Sequence, residues 1–367
     1  MNISMARWIT PSSGGKSDGM RILIATAQVP FITGGAESLA EGLRDALRAA
    51  GHEVEIVAIP FKWYPPERIL DHMLACRLLD LTEVAGTTVD LVVGLKFPAY
   101  LIPHPRKVLW ILHQHRAAYD LWDHPTNDLL HAPNGLHIRD AVRRADQQTI
   151  AEAKAVFALS GNVARRLQNF SGCAASPLYP PPPHAEQFFC ARAEDYLFFP
   201  SRFSHLKRQS LVLEALAHTR QPVRVRFAGT VEQHGYPREL KTLSQRLQVH
   251  KRVEWLGAIS EEEKRRLYAH ALGVVFPPHD EDYGYVTLEA MLASKPVITC
   301  EDSGGPLEFV RDGETGLVCE PTPEKLAATF DHLWENREQA KRWGEAGRAC
   351  YDQADITWTG VIRHLLS

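Results

Sequence analysis

Residues 21–58 read RILIATAQVPFITGGAESLAEGLRDALRAAGHEVEIVA, and their order decides the fold class. Arg21–Ala27 is a short apolar run, suited to a strand covered on both faces of its sheet. Gly34–Gly35 punctuates the chain, and a helix begins near Glu37, with Leu39, Leu43 and Leu47 recurring every four residues. Gly51 is a stop signal, and Glu53–Ala58 is a second strand. A helix crossover joins parallel strands, so this unit seeds a parallel α/β sheet.

The alternation continues along the chain. Leu91–Gly94, Val108–Leu112 and Val156–Leu159 read as strands, with helices over Ile138–Glu152 and Asn162–Asn169. Pro177 and Pro180 to Pro183 interrupt the pattern, and a stiff, extended linker is expected there. A second series follows. Strands are expected at Tyr196–Phe199, Val223–Phe227, Val253–Leu256, Val274–Phe276, Pro296–Thr299 and Leu317–Cys319. Helices are expected at Gln209–His218, Glu239–Leu247, Glu261–Ala271 and Val286–Leu292. The tail from Pro323 to Leu366 reads as helical, with breaks near Arg337 and Asp352. Two such series predict two doubly wound domains with a ligand cleft at the carboxyl ends of their strands.

Composition narrows the class. The chain has 367 residues, with 41 basic and 44 acidic side chains, a net charge of −3. That balance argues against a protein that coats nucleic acid. No run of 18 apolar residues exists, so no membrane-spanning helix is expected. Residues 1–19 are Ser/Gly-rich without an apolar core and read as a disordered lead-in, not a signal peptide. The six cysteines are scattered, without a C-x-x-C, which suits reduced thiols in a cytoplasmic protein.

Three segments carry chemistry. In HDEDYGYVTLEAM, His279 to Met291, Glu281 and Glu289 are separated by seven residues, with Gly284 marking a sharp turn into an apolar helix. Glu289 is expected in the first turn of that helix, where a buried carboxylate needs a hydrogen-bond partner such as a ribose diol. Glu281, on the loop, is placed to reach sugar hydroxyls; the bland reading is a helix cap beside a solvated acidic turn. In SRFSHLKRQ, Ser201 to Gln209, Arg202 and Lys207 flank a strand-to-helix turn. They read as a pyrophosphate site or as two surface cations. Gly304–Gly305 follows a strand, where backbone amides can approach phosphate, and Gly229 is a second close-approach position or a loop start.

These segments, in this order, resemble the GT-B glycosyltransferases of family 4, the retaining nucleotide-sugar transferases. The E-x7-E and R-x4-K elements match, as do the GGP-x-E loop with Glu308 and the V-x-W-L-G segment from Val253 to Gly257. In the first half, GGAE (Gly34 to Glu37), GHEV and ALSGNVARRL (Ala158 to Leu167) also match. The resemblance spans roughly residues 21–360. It implies a GT-B fold: two Rossmann-like, doubly wound parallel-sheet domains facing a central cleft. Residues 20–180 would form the acceptor-binding domain and residues 181–351 the donor-binding domain. Residues 352–367 would form a helix returning to the first, anchored by Trp358.

The resemblance also implies roles. Arg202 and Lys207 hold the donor diphosphate and stabilise the leaving nucleotide. Glu289 binds the ribose and Glu281 the transferred sugar. Gly35 admits the phosphates, backbone near Val253 holds the base, and Gly229, Gly284, Gly304 and Gly305 line the donor site. The family places a histidine near the reaction centre; His113 matches best and His115 second, although either can be a strand-end histidine satisfied by backbone. Arg116 and Tyr119, on the same loop, are acceptor-side candidates. Two departures stand out: Arg208 follows Lys207 where glycine is usual, and Tyr283 replaces phenylalanine.

The implied donor is a UDP- or GDP-linked sugar, with no cofactor, and the implied acceptor a glycan or lipid-linked glycan. Bacterial polysaccharide or glycoconjugate assembly is the implied setting. Asp280-Glu281-Asp282 is a D-x-D, a metal signature elsewhere, but its late position in a βα series reads as an acidic loop, and turnover without divalent metal is expected. Arg143, Arg144, Arg165 and Arg166 suggest a peripheral contact with the cytoplasmic face of the inner membrane, or ordinary solvated helix faces. A nucleotide-linked oxidoreductase is disfavoured, because no G-x-G-x-x-G follows the first strand. A non-enzymatic sugar-nucleotide-binding or assembly protein on the same fold is the alternative.

Overall fold

The computed structural model describes residues 19–32, 34–232 and 235–367. Residues 1–18, most of the expected lead-in, lie outside the described residues. The first domain runs β1 (Arg21–Gln28), α1 (Gly35–Ala49), β2 (Glu53–Pro60), α2 (Arg68–Leu78) and a short antiparallel hairpin, β3 (Glu83–Val84) with β4 (Thr87–Thr88). It continues with β5 (Leu91–Lys96), β6 (Lys107–His113), α3 (Gly135–Glu152), β7 (Ala155–Ala158), α4 (Gly161–Ser171) and β8 (Ser176–Pro177). Its sheet has the parallel order β2-β1-β5-β6-β7-β8. The apolar runs are buried as expected of a sheet covered on both faces: Ile22, Ile24, Val92, Val93, Leu109 and Ile111 are all inaccessible. Leu39, Leu43 and Leu47 seat α1 on that sheet.

The second domain repeats the plan with β9 (Leu197–Pro200), α5 (Gln209–His218), β10 (Val225–Ala228), α6 (Tyr236–Arg246), β11 (Val253–Gly257) and α7 (Glu261–His270). Then come β12 (Gly273–Val275), α8 (Tyr285–Leu292), β13 (Val297–Cys300), β14 (Gly316–Cys319), α9 (Pro323–Glu335) and α10 (Arg337–Gln353). The order is β11-β10-β9-β12-β13-β14, again parallel. In each sheet the first strand has its successor on one side and a later strand on the other. The strand order therefore reverses between β1 and β5 in one domain and between β9 and β12 in the other. Side loops part at such a point, which opens a crevice at the carboxyl ends of the strands.

Two features depart from the sequence reading. Helix α2 and the β3–β4 hairpin fill the stretch between β2 and β5 that periodicity left blank. The proline-rich segment is not a free linker: Ser176–Pro177 pairs with β7 as an edge strand, and Pro180 to Pro182 are buried.

After α10 the chain crosses to the first domain. Helix α11 (Trp358–Leu365) lies on α1, with Trp358 edge-on to Trp110 at a centroid distance of 6.4 Å. Gly42 makes this approach possible, because a Cβ there would stand 2.5 Å from the Trp358 ring. Tyr283, Leu288 and Met291, from the second half, belong to the same buried cluster as the first domain's core, so the halves share apolar contacts.

Candidate active site

The two switch points deliver the polar residues. From the end of β9 the chain turns through Ser201 to Lys207 into α5. The Gln209 side chain holds this turn by donating to the Arg202 carbonyl at 2.8 Å. The Arg202 side chain is 38% exposed, 3.4 Å from Glu232, and its guanidinium carbon would lie 3.8 Å from a Cβ placed on Gly34 of the opposite domain. Arg202 thus faces across the cleft. Lys207 is more enclosed and donates to the Glu281 carboxylate. The Arg208 departure has a local account. Its φ is +58°, the left-handed region glycine occupies without strain, and its guanidinium forms a bidentate pair with Asp302 at 2.7 and 2.6 Å.

Glu281 is fixed by backbone pairing on both sides. Its N–H donates to the Ser303 carbonyl at 2.9 Å, and its carbonyl accepts from Gly305 at 2.8 Å. This corrects the role expected of the Gly305 amide. A Cβ on Gly304 would stand 2.7 Å from the Glu281 carbonyl oxygen, and one on Gly305 would stand 2.6 Å from that of Tyr283. These glycines let two protein loops close-pack; the Gly305 amide is already used. Gly229 behaves the same way: it sits at φ +150° against the Ser201 carbonyl, and its N–H donates to Gly257 at 2.8 Å. Gly284, at φ +82°, makes the sharp turn into α8.

Glu289 falls in the second turn of α8, not the first. It is 5% exposed, and its carboxylate accepts from Lys264 Nζ at 2.9 Å and Tyr268 Oη at 2.7 Å. The partner that burial demanded is supplied by the protein. Val253 is a clear correction. It starts β11, in register with Val225 at the start of β10, so it lies about 13 Å from the carboxyl end where the cleft is. Gly257 is the residue of that strand at the cleft end.

On the facing side, Gly35 opens α1, and a Cβ there would stand 3.4 Å from the Tyr285 ring of the second domain. The Glu37 carboxylate accepts from the Gly34 N–H at 2.8 Å and stands 3.8 Å from Lys96 Nζ. Lys96 ends β5, in register with His113 at the end of β6. Burial pushes the Lys96 pKa down, Glu37 opposes this, and Arg202 across the cleft adds to it. Sequence reasoning missed Lys96. The signal was a single cation closing the apolar run LVVGLK at a carboxyl end.

The two histidines separate cleanly. His113 Nδ1 contacts the Gln114 carbonyl at 2.7 Å, which makes it the donor and leaves Nε2 with a lone pair in the neutral ring. Burial lowers its pKa and Asp282 partly offsets this. His115 instead packs between Phe97 and Phe61, at centroid distances of 5.2 and 6.1 Å, and burial pushes it down to about 4. His113 is the one among the cleft charges; His115 is an aromatic core residue.

The acceptor-side candidates are also corrected. Tyr119 is buried inside the first domain and donates to Asp146 at 2.8 Å. Arg116 pairs with Asp120 at 2.7 Å and donates to the Asp280 carbonyl at 2.8 Å, so it is committed to a contact between domains. Asp280 and Asp282, the D-x-D carboxylates, both face Arg166. Arg166 is thereby drawn into the cleft and Arg143 lies 5.8 Å over the Tyr119 ring, so the four arginines do not present one basic face to a membrane. Among the described residues no helix is long and apolar enough to cross a membrane.

Asp146 supports the whole 113–119 loop. It is fully buried and accepts from Tyr100 at 2.9 Å, Tyr119 at 2.8 Å and Gln114 at 3.0 Å. Burial outweighs these donors and raises its pKa from 3.8 to about 6. The fold therefore favours the protonated carboxyl. This contribution is complete below pH 3.8 and is lost as pH rises through about 6, a difference of about 3 kcal/mol. Asp146→Asn cannot ionise. Its unfolding free energy relative to wild type should rise by about 2 kcal/mol between pH 4 and pH 7 in urea titrations. A pH-independent difference would contradict the assignment.

Comparison with known proteins places the chain. Residues 186–349 match the family described as Glycosyl transferases group 1. Over 120 residues the chain is 35% identical to the alpha-1,3/1,6-mannosyltransferase ALG2 of Dictyostelium discoideum, a match covering 33% of this chain and 28% of that protein. It is 28% identical over 163 residues to O-antigen chain mannosyltransferase C of Escherichia coli, covering 44% and 42%. The chain thus spans less than half the length of these curated relatives. HepE of Anabaena, solved in complex with UDP and glucose, is similar over the whole fold, with a TM-score of 0.69 at 18% identity, covering 95% of this chain and 98% of that one. The fold is GT-B.

Proposed function

We propose that this chain, a GT-B protein whose second domain is of the glycosyl transferases group 1 type, is a retaining glycosyltransferase. It moves a sugar from a nucleoside-diphosphate donor to a hydroxyl acceptor in polysaccharide or glycoconjugate assembly. The observation that carries this reading is that Arg202, which shares one sheet's switch-point turn with Lys207, meets the facing domain beside Gly34 and acts on Lys96 at the other sheet's switch point, with His113 in register with Lys96 on the next strand. The relatives, two of them mannosyltransferases by name, support it.

Departure of the donor nucleotide leaves negative charge on its diphosphate and positive charge on the anomeric carbon. Arg202 and Lys207 stabilise the first, and this electrostatic term is the main catalytic one. Lys96 adds a third cation from the facing domain. Glu281 contacts the sugar while fixing Lys207. Glu289, whose oxygens each keep a free lone pair beside Lys264 and Tyr268, accepts from the ribose hydroxyls. The acceptor hydroxyl attacks from the side of the leaving phosphate, hydrogen-bonded to one of its oxygens, which gives retention without a covalent nucleophile. His113, with Nε2 free, lies by the acceptor. The acceptor is a glycan or lipid-linked glycan held by the first domain, and the donor is UDP- or GDP-linked.

The test is release of nucleoside diphosphate from a panel of UDP- and GDP-sugars, with chelator present, and the anomeric configuration of the product by NMR. One donor consumed with retention is expected. No turnover of any donor, or turnover only after manganese is restored, overturns the reading.

A further inference from the structure

Asp280, Asp282 and Glu308 have no part in the chemistry above, yet they make a dense polar contact between the domains. Asp280 and Asp282 belong to the loop between β12 and α8; Arg116 and Arg166 belong to the first domain. Arg166 pairs with Asp282, and with Asp280 at 2.9 Å. Arg116 stands 3.6 Å from Asp282 and 3.8 Å from Asp280. Asn162 donates to the Asp280 carboxylate at 2.7 Å and to the Glu281 carbonyl at 2.9 Å, and Ser160 donates to the Asp282 carbonyl at 2.5 Å. Glu308, from the GGP-x-E loop, accepts from the first two amides of α4, Gly161 at 2.9 Å and Asn162 at 2.7 Å, and from Tyr179 at 2.7 Å. A carboxylate of one domain thus caps a helix of the other, where the helix dipole favours it. Tyr283 adds a bond to the Pro180 carbonyl at 2.8 Å, which phenylalanine could not make.

Burial opposes charge on Asp282, but Arg116 and Arg166 outweigh it and hold the carboxyl well below the usual carboxylate range. The pairs are enclosed, so water screens them little. The contacts bracket Glu281: Asp280 and Asp282 are its chain neighbours, and Asn162 holds its carbonyl. Its carboxylate in turn fixes Lys207.

We propose that Asp280, Asp282, Arg116, Arg166 and Glu308 form an ionic clasp that holds the domains closed and positions Glu281 against the donor. The clasp makes the acidic D-x-D a positioning element, not a ligand-binding one. Its catalytic half rests on the transferase reading above; its conformational half does not.

The experiment takes the full chain as wild type, Arg166→Gln, Asp282→Asn and the double variant. It measures the radius of gyration by solution scattering, the donor kcat and KM, and the dissociation constant of the donor's nucleoside diphosphate. Opening of the cleft should raise the radius of gyration of each single variant. Displacement of Glu281 should lower kcat about 100-fold. The diphosphate constant should move less than about tenfold, well below the change in kcat, because Arg202 and Lys207 both belong to the second domain and opening withdraws only Lys96. The double variant should lose less than the product of the two single losses, since the singles share the Arg166–Asp282 pair. An unchanged radius of gyration in both singles overturns the clasp. A raised radius with unchanged kcat overturns the positioning role alone. Failure of the transferase reading removes only the kcat arm, and the scattering result still decides. If the singles lose cooperative melting, Glu308→Gln keeps an acceptor for the α4 amides, and its radius of gyration and kcat are read the same way.

Discussion

Lys207→Ala should lower kcat/KM for the donor by about 1,000-fold, with most of the loss in kcat. The ammonium acts on charge that appears as the leaving diphosphate departs, so its removal raises the barrier more than it weakens the ground state. Removal of one such preorganised donor typically costs about 100- to 1,000-fold. Here the upper end applies because Lys207 is enclosed and also holds Glu281. Lys207→Arg keeps the charge but changes its shape, and partial activity, at least tenfold above the alanine variant, is expected. Steady-state release of nucleoside diphosphate measures both. An alanine variant within tenfold of wild type contradicts the role.

Glu289→Ala should destabilise the protein by about 3 kcal/mol, apart from any effect on donor binding. Its carboxylate is buried beneath α8 and is the acceptor for both Lys264 and Tyr268. Alanine leaves a largely buried ammonium with only Glu261, at 2.8 Å on the exposed side, and leaves the fully buried Tyr268 hydroxyl without its partner. Glu289→Gln keeps the Tyr268 bond and should lose less. Denaturant titration of the three proteins measures this. A loss under about 0.5 kcal/mol for alanine contradicts the account, since unpaired buried groups carry larger penalties.

The frame of the fold was readable because the strands are apolar runs and the turns are marked by glycine and proline. Arg21–Gln28, Leu91–Lys96 and Val297–Cys300 are buried on both faces, and such strands stand out in sequence. Helix α2 was less visible: Ile69, Met73 and Cys76 are its buried residues, three in eleven, too few to dominate the pattern. The placement of the candidate residues was readable where they stand at carboxyl ends of strands, because parallel topology sends those ends to one cleft. Arg202, Lys207, Glu281 and His113 follow that rule. Val253 breaks it: the strand's polarity puts its start at the far end of the sheet.

The remaining errors have tertiary causes. Tyr119 shares a loop with Arg116, but loop adjacency does not fix direction, and its hydroxyl is captured by Asp146, 27 residues away. Lys96 was hidden because a lone cation ending a strand is common; only the facing Arg202 and neighbouring Glu37 give it meaning. The clasp could not be foreseen at all. Arg166 and Asp282 are 116 positions apart, and each alone is an ordinary surface charge.

The central claim is that Arg202 and Lys207 hold a nucleoside diphosphate in the cleft. Calorimetric titration of UDP, GDP and ADP, with chelator present, into wild type and Arg202→Ala tests it most directly. One diphosphate should bind wild type, and Arg202→Ala should bind it at least tenfold more weakly. That result would also identify the donor's base. Binding of none of the three, or equal binding by both proteins, would contradict the account.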